Sequence, residues 1–148
     1  MATTQYGLSM TGPTQPPEHA TDRNVLGEAL EPCGLDPATG FYRDGCCSTR
    51  PEDIGSHTVC AVMTREFLDH QEMVGNDLSS ARPEWRFPGL RPGDRWCVVA
   101  VRWLQAYQDG VAAPIVLAST HERALDAIPL RLLREHSVDV PSDLGDLG

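Results

Sequence analysis

The chain of 148 residues contains no lysine, and all twelve of its basic residues are arginine. A Schiff base with pyridoxal phosphate or a carbonyl substrate needs a lysine amine, and a P-loop needs a lysine at the phosphates. The sequence also has no Gly-x-Gly-x-x-Gly motif, the fingerprint of a nicotinamide-binding Rossmann domain. These absences exclude pyridoxal phosphate chemistry and P-loop chemistry, and they leave a nicotinamide cofactor without support.

Targeting and membrane features are also missing. No run approaches the roughly 18 apolar residues of a membrane helix, and residues 1–7 lack the basic and apolar parts of a secretory signal. We therefore expect a soluble, cytoplasmic protein. The formal net charge of −9 argues against nucleic acid and anionic lipid as partners, because both attract basic surfaces. A small molecule is the expected partner, and the oligomeric state stays open.

Composition divides the chain into three parts. Residues 1–22 are interrupted by glycine and proline and read as a disordered leader, and residues 139–148 read as an acidic disordered tail. A single domain is expected over residues 23–138, which is long enough for one core.

Apolar runs and capping residues predict the elements of that domain. Strands are expected at 58–63, 96–101 and 114–118. Thr64 can cap a first helix that ends at Gly75, and further helices are expected at about 102–109, from the Ser119 and Glu122 capping box to 128, and at 130–136. The predicted fold is α+β (or α/β), with a small central sheet of three to four strands. The sheet would be partly parallel, since crossovers are right-handed, with helices packed on it and a long loop-rich N-terminal portion.

The five cysteines are Cys33, Cys46, Cys47, Cys60 and Cys97. Their odd number and the expected compartment favour buried thiols, metal ligands or a reactive thiol over a disulfide framework. Cys60 and Cys97 lie in apolar strands, and we expect them to be buried core residues.

The vicinal pair Cys46–Cys47 follows a turn at Asp44-Gly45, so both thiols are expected to be accessible. Nearby arginines, Arg43 and Arg50, would lower a thiol pKa. The candidate catalytic residues are Cys46, Cys47, His57 and His121. The alternative is that the cysteines pack structurally and that His121 faces solvent.

Two kinds of binding site are also compatible with the sequence. A transition metal such as zinc could be held by Cys33, Cys46, Cys47 and His57, although no Cys-x-x-Cys knuckle occurs. A small anion could bind to arginine side chains, because guanidinium groups suit carboxylates and phosphates. The candidate ligand-binding residues are Arg43, Asn76, Asp77, Arg82 and Arg95. The alternatives are surface arginines paired with acids and an Asn76-Asp77 turn.

Several motifs resemble one protein family over about residues 24–136. They are Asn24-Val25-Leu26-Gly27, Glu31-Pro32-Cys33, Thr39 to Cys47, His57 to Ala61, Gly75 to Ser79, Phe87 to Leu90, Pro92 to Cys97 and Thr120-His121-Glu122. These motifs resemble the DUF2237 family of uncharacterised proteins. The resemblance implies a small stand-alone bacterial-type domain and carries over no catalytic role.

Two functions are compatible with these observations. The first is a soluble cytoplasmic domain with a cysteine-centred site for thiol-based or metal-assisted chemistry on a small molecule. The second is a non-catalytic binding module for a protein partner or a small anionic ligand.

Overall fold

The structure is a computed structural model that describes residues 22–140. Residues 1–21 of the expected leader and residues 141–148 of the expected tail lie outside the described residues. The helices of the described part are too short and too polar to cross a membrane.

Two strands and three α-helices form the framework of residues 22–140. In chain order they are β1 (His57–Val62), α1 (Arg65–Met73), β2 (Arg95–Val99), α2 (Ala100–Gln108) and α3 (Leu130–Glu135). Short 3₁₀ helices occur at Pro83–Trp85, Leu117–Ser119 and Glu122–Asp126. The molecule is a small α+β fold with long connections, and the expected loop-rich N-terminal portion precedes β1.

The sheet differs from the one predicted. β1 and β2 pair antiparallel, with Cys60 opposite Cys97, and within residues 22–140 they are the only strands of the sheet. The prediction of three to four strands, partly parallel, is therefore wrong. α1 and the long loop after it return the chain so that β2 runs against β1.

The expected third strand is reduced to single bridges at Ile115. That residue bridges to Ala61 and to Ser137, and the chain then turns into a 3₁₀ helix. The turn occurs because the backbone N–H groups of Leu117 and Ala118 donate to the Asp139 carboxylate, at 2.8 and 3.0 Å, rather than to a strand. The Asp139 carboxylate, more than twenty residues along the chain, therefore takes the N–H groups that a third strand would have used.

Helix ends were predicted with mixed success. Thr64 caps α1 as expected, since its hydroxyl oxygen accepts the N–H of Phe67 at 3.0 Å, and Gly75 follows the helix end. The Ser119 capping box is wrong, because His121 is the N-cap of the 3₁₀ helix at Glu122–Asp126.

The main core lies between the sheet and the helices. Its largest fully buried side chain is Trp103 of α2, whose indole N–H donates to the Ala113 carbonyl at 2.9 Å. Phe67 and Leu68 of α1 and Leu133 of α3 are also fully buried. Burying these large apolar side chains favours folding and fixes the sheet that supports the loops before β1 and β2.

Candidate functional site

Two disulfides fasten the segment of residues 33–47 to the sheet. Cys33, at its start, is bonded to Cys60 of β1, and Cys47, at its end, is bonded to Cys97 of β2. Because Cys60 and Cys97 face each other across the strand pair, both ends of the segment are held at one place. Residues 33–47 are called the tethered segment below.

The cysteines differ from expectation in pairing and in exposure. Cys60 and Cys97 are buried, as predicted, but a disulfide framework was not expected and four of the five cysteines form one. The expected accessibility of the vicinal pair is wrong, since Cys46 is 6% exposed and Cys47 is 0% exposed. Pairing partners distant in sequence could not be read from the spacing.

The remaining thiol, Cys46, is not activated. Burial raises its pKa above the usual value, and the nearby carboxylates of Asp44 and Asp22 raise it further. The arginines expected to lower this pKa are engaged elsewhere. Arg50 pairs with Asp22 at 3.1 Å, and Arg43 lies over the Trp96 ring. A buried thiol with a raised pKa is a poor nucleophile.

A cleft of about 500 Å³ opens between the tethered segment and the loop that follows α1. Its aromatic walls are Phe41, Trp85, Phe87 and Trp96. Its polar lining includes Arg43, His57, Asn76, Asp77 and Arg82. The structure thus brings together four of the five predicted ligand-binding residues and one predicted catalytic histidine. Arg95, Cys46 and His121 do not line this cleft, and Cys47 meets it only through its disulfide partner Cys97.

Arg43 is held in the cleft by aromatic rings. Its guanidinium carbon lies 4.9 Å from the ring centroid of Trp96 and 5.8 Å from that of Phe87, and the two rings pack edge to face. Within residues 22–140 this guanidinium forms no ion pair with an acid. Stacking on a ring leaves the N–H groups at the edge of the guanidinium available for an anion.

His57 is oriented by a buried carboxylate. Its Nδ1–H donates to Asp53 Oδ1 at 2.7 Å, and its backbone N–H donates to Asp53 Oδ2 at 2.8 Å. Asp53 also accepts the Ser56 amide and the Thr49 hydroxyl, so its geometry is fixed from several sides. A histidine held through Nδ1 presents Nε2 as a proton acceptor, which is how carboxylates orient catalytic histidines.

Asn76 and Asp77 shape the turn behind α1. The Asn76 side chain donates to Gln71 Oε1 at 2.7 Å. Hydrogen bonds from the Ser80 hydroxyl and the Ser79 amide lower the pKa of Asp77, and Arg82 adds to the effect. The turn-and-cap alternative therefore describes what these side chains do in the structure, although both also line the cleft.

The family comparison agrees with the resemblance seen in the sequence. Residues 23–137 match a family described as an uncharacterized protein conserved in bacteria (DUF2237). The chain belongs to the DUF2237 family. No curated protein matches the chain. All the residues that line the cleft lie inside the DUF2237 match.

In this DUF2237 domain His121 has a structural place away from the cleft. It is buried, its Nδ1 accepts the Arg123 N–H at 3.0 Å, and its Nε2 lies 3.4 Å from Asp22 Oδ2. Burial lowers its pKa, while the Asp22 carboxylate opposes this shift. The alternative of a solvent-facing residue is wrong, since His121 is buried, caps the 3₁₀ helix through Nδ1 and faces Asp22 through Nε2.

Sequence reasoning missed Asp53 and the aromatic walls of the DUF2237 cleft. Asp53 precedes His57 by four residues in a loop that also carries Pro51 and Gly55. Two residues four positions apart have a fixed relative geometry in a helix but not in a loop, so the sequence gives no indication that Asp53 and His57 contact each other. The aromatic side chains come from three separate segments, which only the fold brings together.

Proposed function

We propose that the cleft binds a small anionic ligand that carries an aromatic or apolar group. The observation that carries this proposal is the guanidinium of Arg43, which lies over the Trp96 ring without an acidic partner in the described part of the chain. The volume of about 500 Å³ suits a small molecule. Arg82 adds a second positive charge, and the exposed Trp85 ring offers a stacking surface.

This proposal favours ligand recognition over thiol chemistry. Cys47 is in a disulfide, and burial raises the pKa of Cys46, so neither sulfur is a ready nucleophile. Arginine, in contrast, forms bidentate hydrogen bonds with carboxylates and phosphates, and these are among the strongest polar contacts in proteins.

Binding of phenyl phosphate, followed by calorimetry and by amide chemical shifts, tests the proposal. We expect saturable binding, and we expect benzylamine, a cation of similar size, not to compete. Arg43→Gln should weaken phenyl phosphate binding by about tenfold or more, because a hydrogen bond to a charged group contributes about 1.5–3 kcal/mol. Arg91→Gln is the matched control, since it removes the charge of an arginine in the loop after α1 that does not line the cleft. Equal affinity of wild type and Arg43→Gln would refute the assignment.

A second candidate function is acid–base catalysis on the bound ligand, and the Asp53–His57 pair favours it. We propose His57 Nε2 as the general base. In hydrolysis of an anionic aryl ester, a water would attack the ester carbonyl while Nε2 takes one of its protons. The acyl C–O bond would then break, the aryloxide would leave, and Nε2 would pass its proton to the solvent. A positioned base contributes about 10²–10⁴-fold to rate.

Hydrolysis of mono-4-nitrophenyl succinate is the corresponding measurement. His57→Gln should lower kcat about 100-fold or more while phenyl phosphate still binds. Asp53→Asn should also lower kcat, because the orienting carboxylate is lost. A rate unchanged in His57→Gln would leave the cleft as a binding site without this catalytic role.

A further inference from the structure

The two disulfides form a single sulfur cluster. Cys33, Cys47, Cys60 and Cys97 are each at most 2% exposed and share one small core with Val116. The Sγ atoms of Cys33, Cys47 and Cys97 all lie within 4.8 Å of one another, and the Cys60 sulfur is bonded to that of Cys33. Four sulfurs from four different parts of the chain therefore converge.

This spacing is close to that of a tetrahedral metal site. Zinc binds thiolates at about 2.3 Å, which places the four sulfurs roughly 3.8 Å apart. Once both S–S bonds are broken, the sulfurs of each pair would have to move apart to that distance, and those of Cys33, Cys47 and Cys97 start within 4.8 Å of one another. The apolar shell around the cluster excludes water, as in a closed structural site.

Backbone hydrogen bonds hold three of the four cysteines in place independently of the disulfides. Cys60 and Cys97 are fixed as partners in the β1–β2 pair. The Cys97 N–H donates to the Thr39 hydroxyl at 2.6 Å, which attaches the tethered segment to β2. The Cys33 N–H donates to the Gly45 carbonyl at 2.6 Å, which closes the segment on itself. The arrangement therefore does not rest on the S–S bonds alone.

We propose that, once both disulfides are reduced, Cys33, Cys47, Cys60 and Cys97 bind one Zn²⁺. Each disulfide is reduced by two electrons from a phosphine, which is oxidised to the phosphine oxide while water supplies its oxygen and the two protons of the new thiols. The four resulting thiols then give up their protons to the solvent as the thiolates bind the metal. Of the residues predicted to bind metal, Cys33 and Cys47 remain, while Cys46 and His57 are replaced by Cys60 and Cys97. His57 instead faces the cleft, and its Nδ1 is hydrogen-bonded to Asp53.

Zinc would replace the disulfides as the clamp on the tethered segment. The segment supplies Gly40, Phe41 and Arg43 to the cleft, and either clamp would hold its ends against β1 and β2. The same cleft wall would then be held in oxidising and in reducing surroundings.

The test measures metal directly and does not depend on any ligand of the cleft. The full chain is reduced with a phosphine under nitrogen, and one equivalent of Zn²⁺ or Co²⁺ is added. We expect one zinc per chain after gel filtration, and with Co²⁺ the intense visible bands of tetrahedral thiolate coordination. If the reduced chain retains no more metal after gel filtration than a blank without protein, the proposal is overturned.

Cysteine variants and alkylation identify the ligands. Cys46→Ser is the matched control and should keep the full metal stoichiometry, whereas Cys60→Ser or Cys97→Ser should weaken zinc binding at least 100-fold. Because these last variants could fail to fold, the reduced wild type is also alkylated. Zinc should protect four cysteines from iodoacetamide, and a chelator should expose them. Equal loss of metal in Cys46→Ser, or alkylation unaffected by zinc, would refute the four-cysteine site.

Discussion

Among the histidines that lie beside a carboxylate, His57 and His121 have different surroundings. The His57 side chain is 33% exposed and lines the cleft, while its Asp53 partner is buried. His121 is buried together with most of Asp22, and its Nδ1 is used as a helix cap. The His57 side chain can therefore contact a molecule in the cleft, whereas His121 is enclosed and its Nδ1 holds the Arg123 backbone N–H.

Replacement of His121 should change how stability depends on pH. Burial lowers its pKa in the folded state, so below about pH 6.5 the unfolded chain binds more protons than the folded chain. The free energy of unfolding should therefore fall as the pH drops through about 6.5 towards the folded-state pKa. His121→Asn keeps an acceptor for the Arg123 N–H but does not titrate.

Urea unfolding at about pH 7 and about pH 5.5 measures this difference. Wild type should lose more stability between the two conditions than His121→Asn. If both proteins lose the same amount, the pH dependence comes from other groups and His121 does not contribute to it.

The sequence indicates candidate residues where the chemistry of one side chain is distinctive. Guanidinium and imidazole groups bind anions or protons in many settings, and the candidates Arg43, Arg82 and His57 all line the cleft. Asp53 could not be selected, since its role depends on a loop that returns its carboxylate to His57. Arg95 was predicted with the other arginines but lies at the start of β2, outside the cleft lining.

At the scale of elements, the tethered segment decides the shape of the cleft. It turns sharply at Gly40, where φ is +101°, and the Gly45 N–H donates to the Thr39 carbonyl at 2.8 Å. A Cβ on Gly40 would collide with the Cys46 carbonyl oxygen. The backbone must therefore come this close for Phe41 and Arg43 to reach the cleft.

Gly40→Ala should destabilise the protein more than Gly27→Ala. Both glycines have positive φ, but a Cβ on Gly27 would meet nothing within 4 Å. Gly27→Ala should cost about 1–2 kcal/mol from backbone conformation alone. Gly40→Ala should add a steric cost on the order of 1–3 kcal/mol. Urea unfolding of the two variants gives the comparison, and equal losses would show that the tethered segment relaxes around the new methyl group.

The elements themselves were predictable where the signal was local. The cap at Thr64 and the apolar runs of β1 and β2 depend on adjacent residues, and these predictions are close to the observed bounds. The segment 114–118 is apolar as well, but it forms no strand, and the Asp139 carboxylate accepts two of its backbone N–H groups. The disulfides likewise join residues 27 and 50 positions apart, and a spacing of that length does not indicate which cysteines pair.

At the scale of the whole molecule, the cleft brings two positive charges together although the chain is acidic. The chain carries a net charge of −9, yet Arg43 and Arg82 line the same cleft. The cleft walls come from residues on both sides of β1, so a ligand bound there would contact segments before and after the strand. Its binding should therefore depend on the integrity of the complete domain.

The two disulfides overlap in sequence, which gives the domain a particular covalent connectivity. A single peptide-bond break anywhere between Cys33 and Cys97 leaves the two pieces joined by at least one S–S bond. Trypsin cuts after arginine here, because lysine is absent, and Arg82 and Arg91 are each followed by proline. Within residues 76–93 this leaves the Arg86–Phe87 bond as the point of cleavage.

Limited trypsin treatment should therefore convert the protein into a two-chain molecule. Cut at the exposed Arg86, it should run as one species without reductant and as two with it. Arg86→Gln should resist the cut, and separation of the fragments without reductant would mean that the Cys47–Cys97 bond is not formed. After this cut, Arg43 and Trp96 would belong to different polypeptides. The Cys47–Cys97 disulfide would still join the two and keep Arg43 over the Trp96 ring.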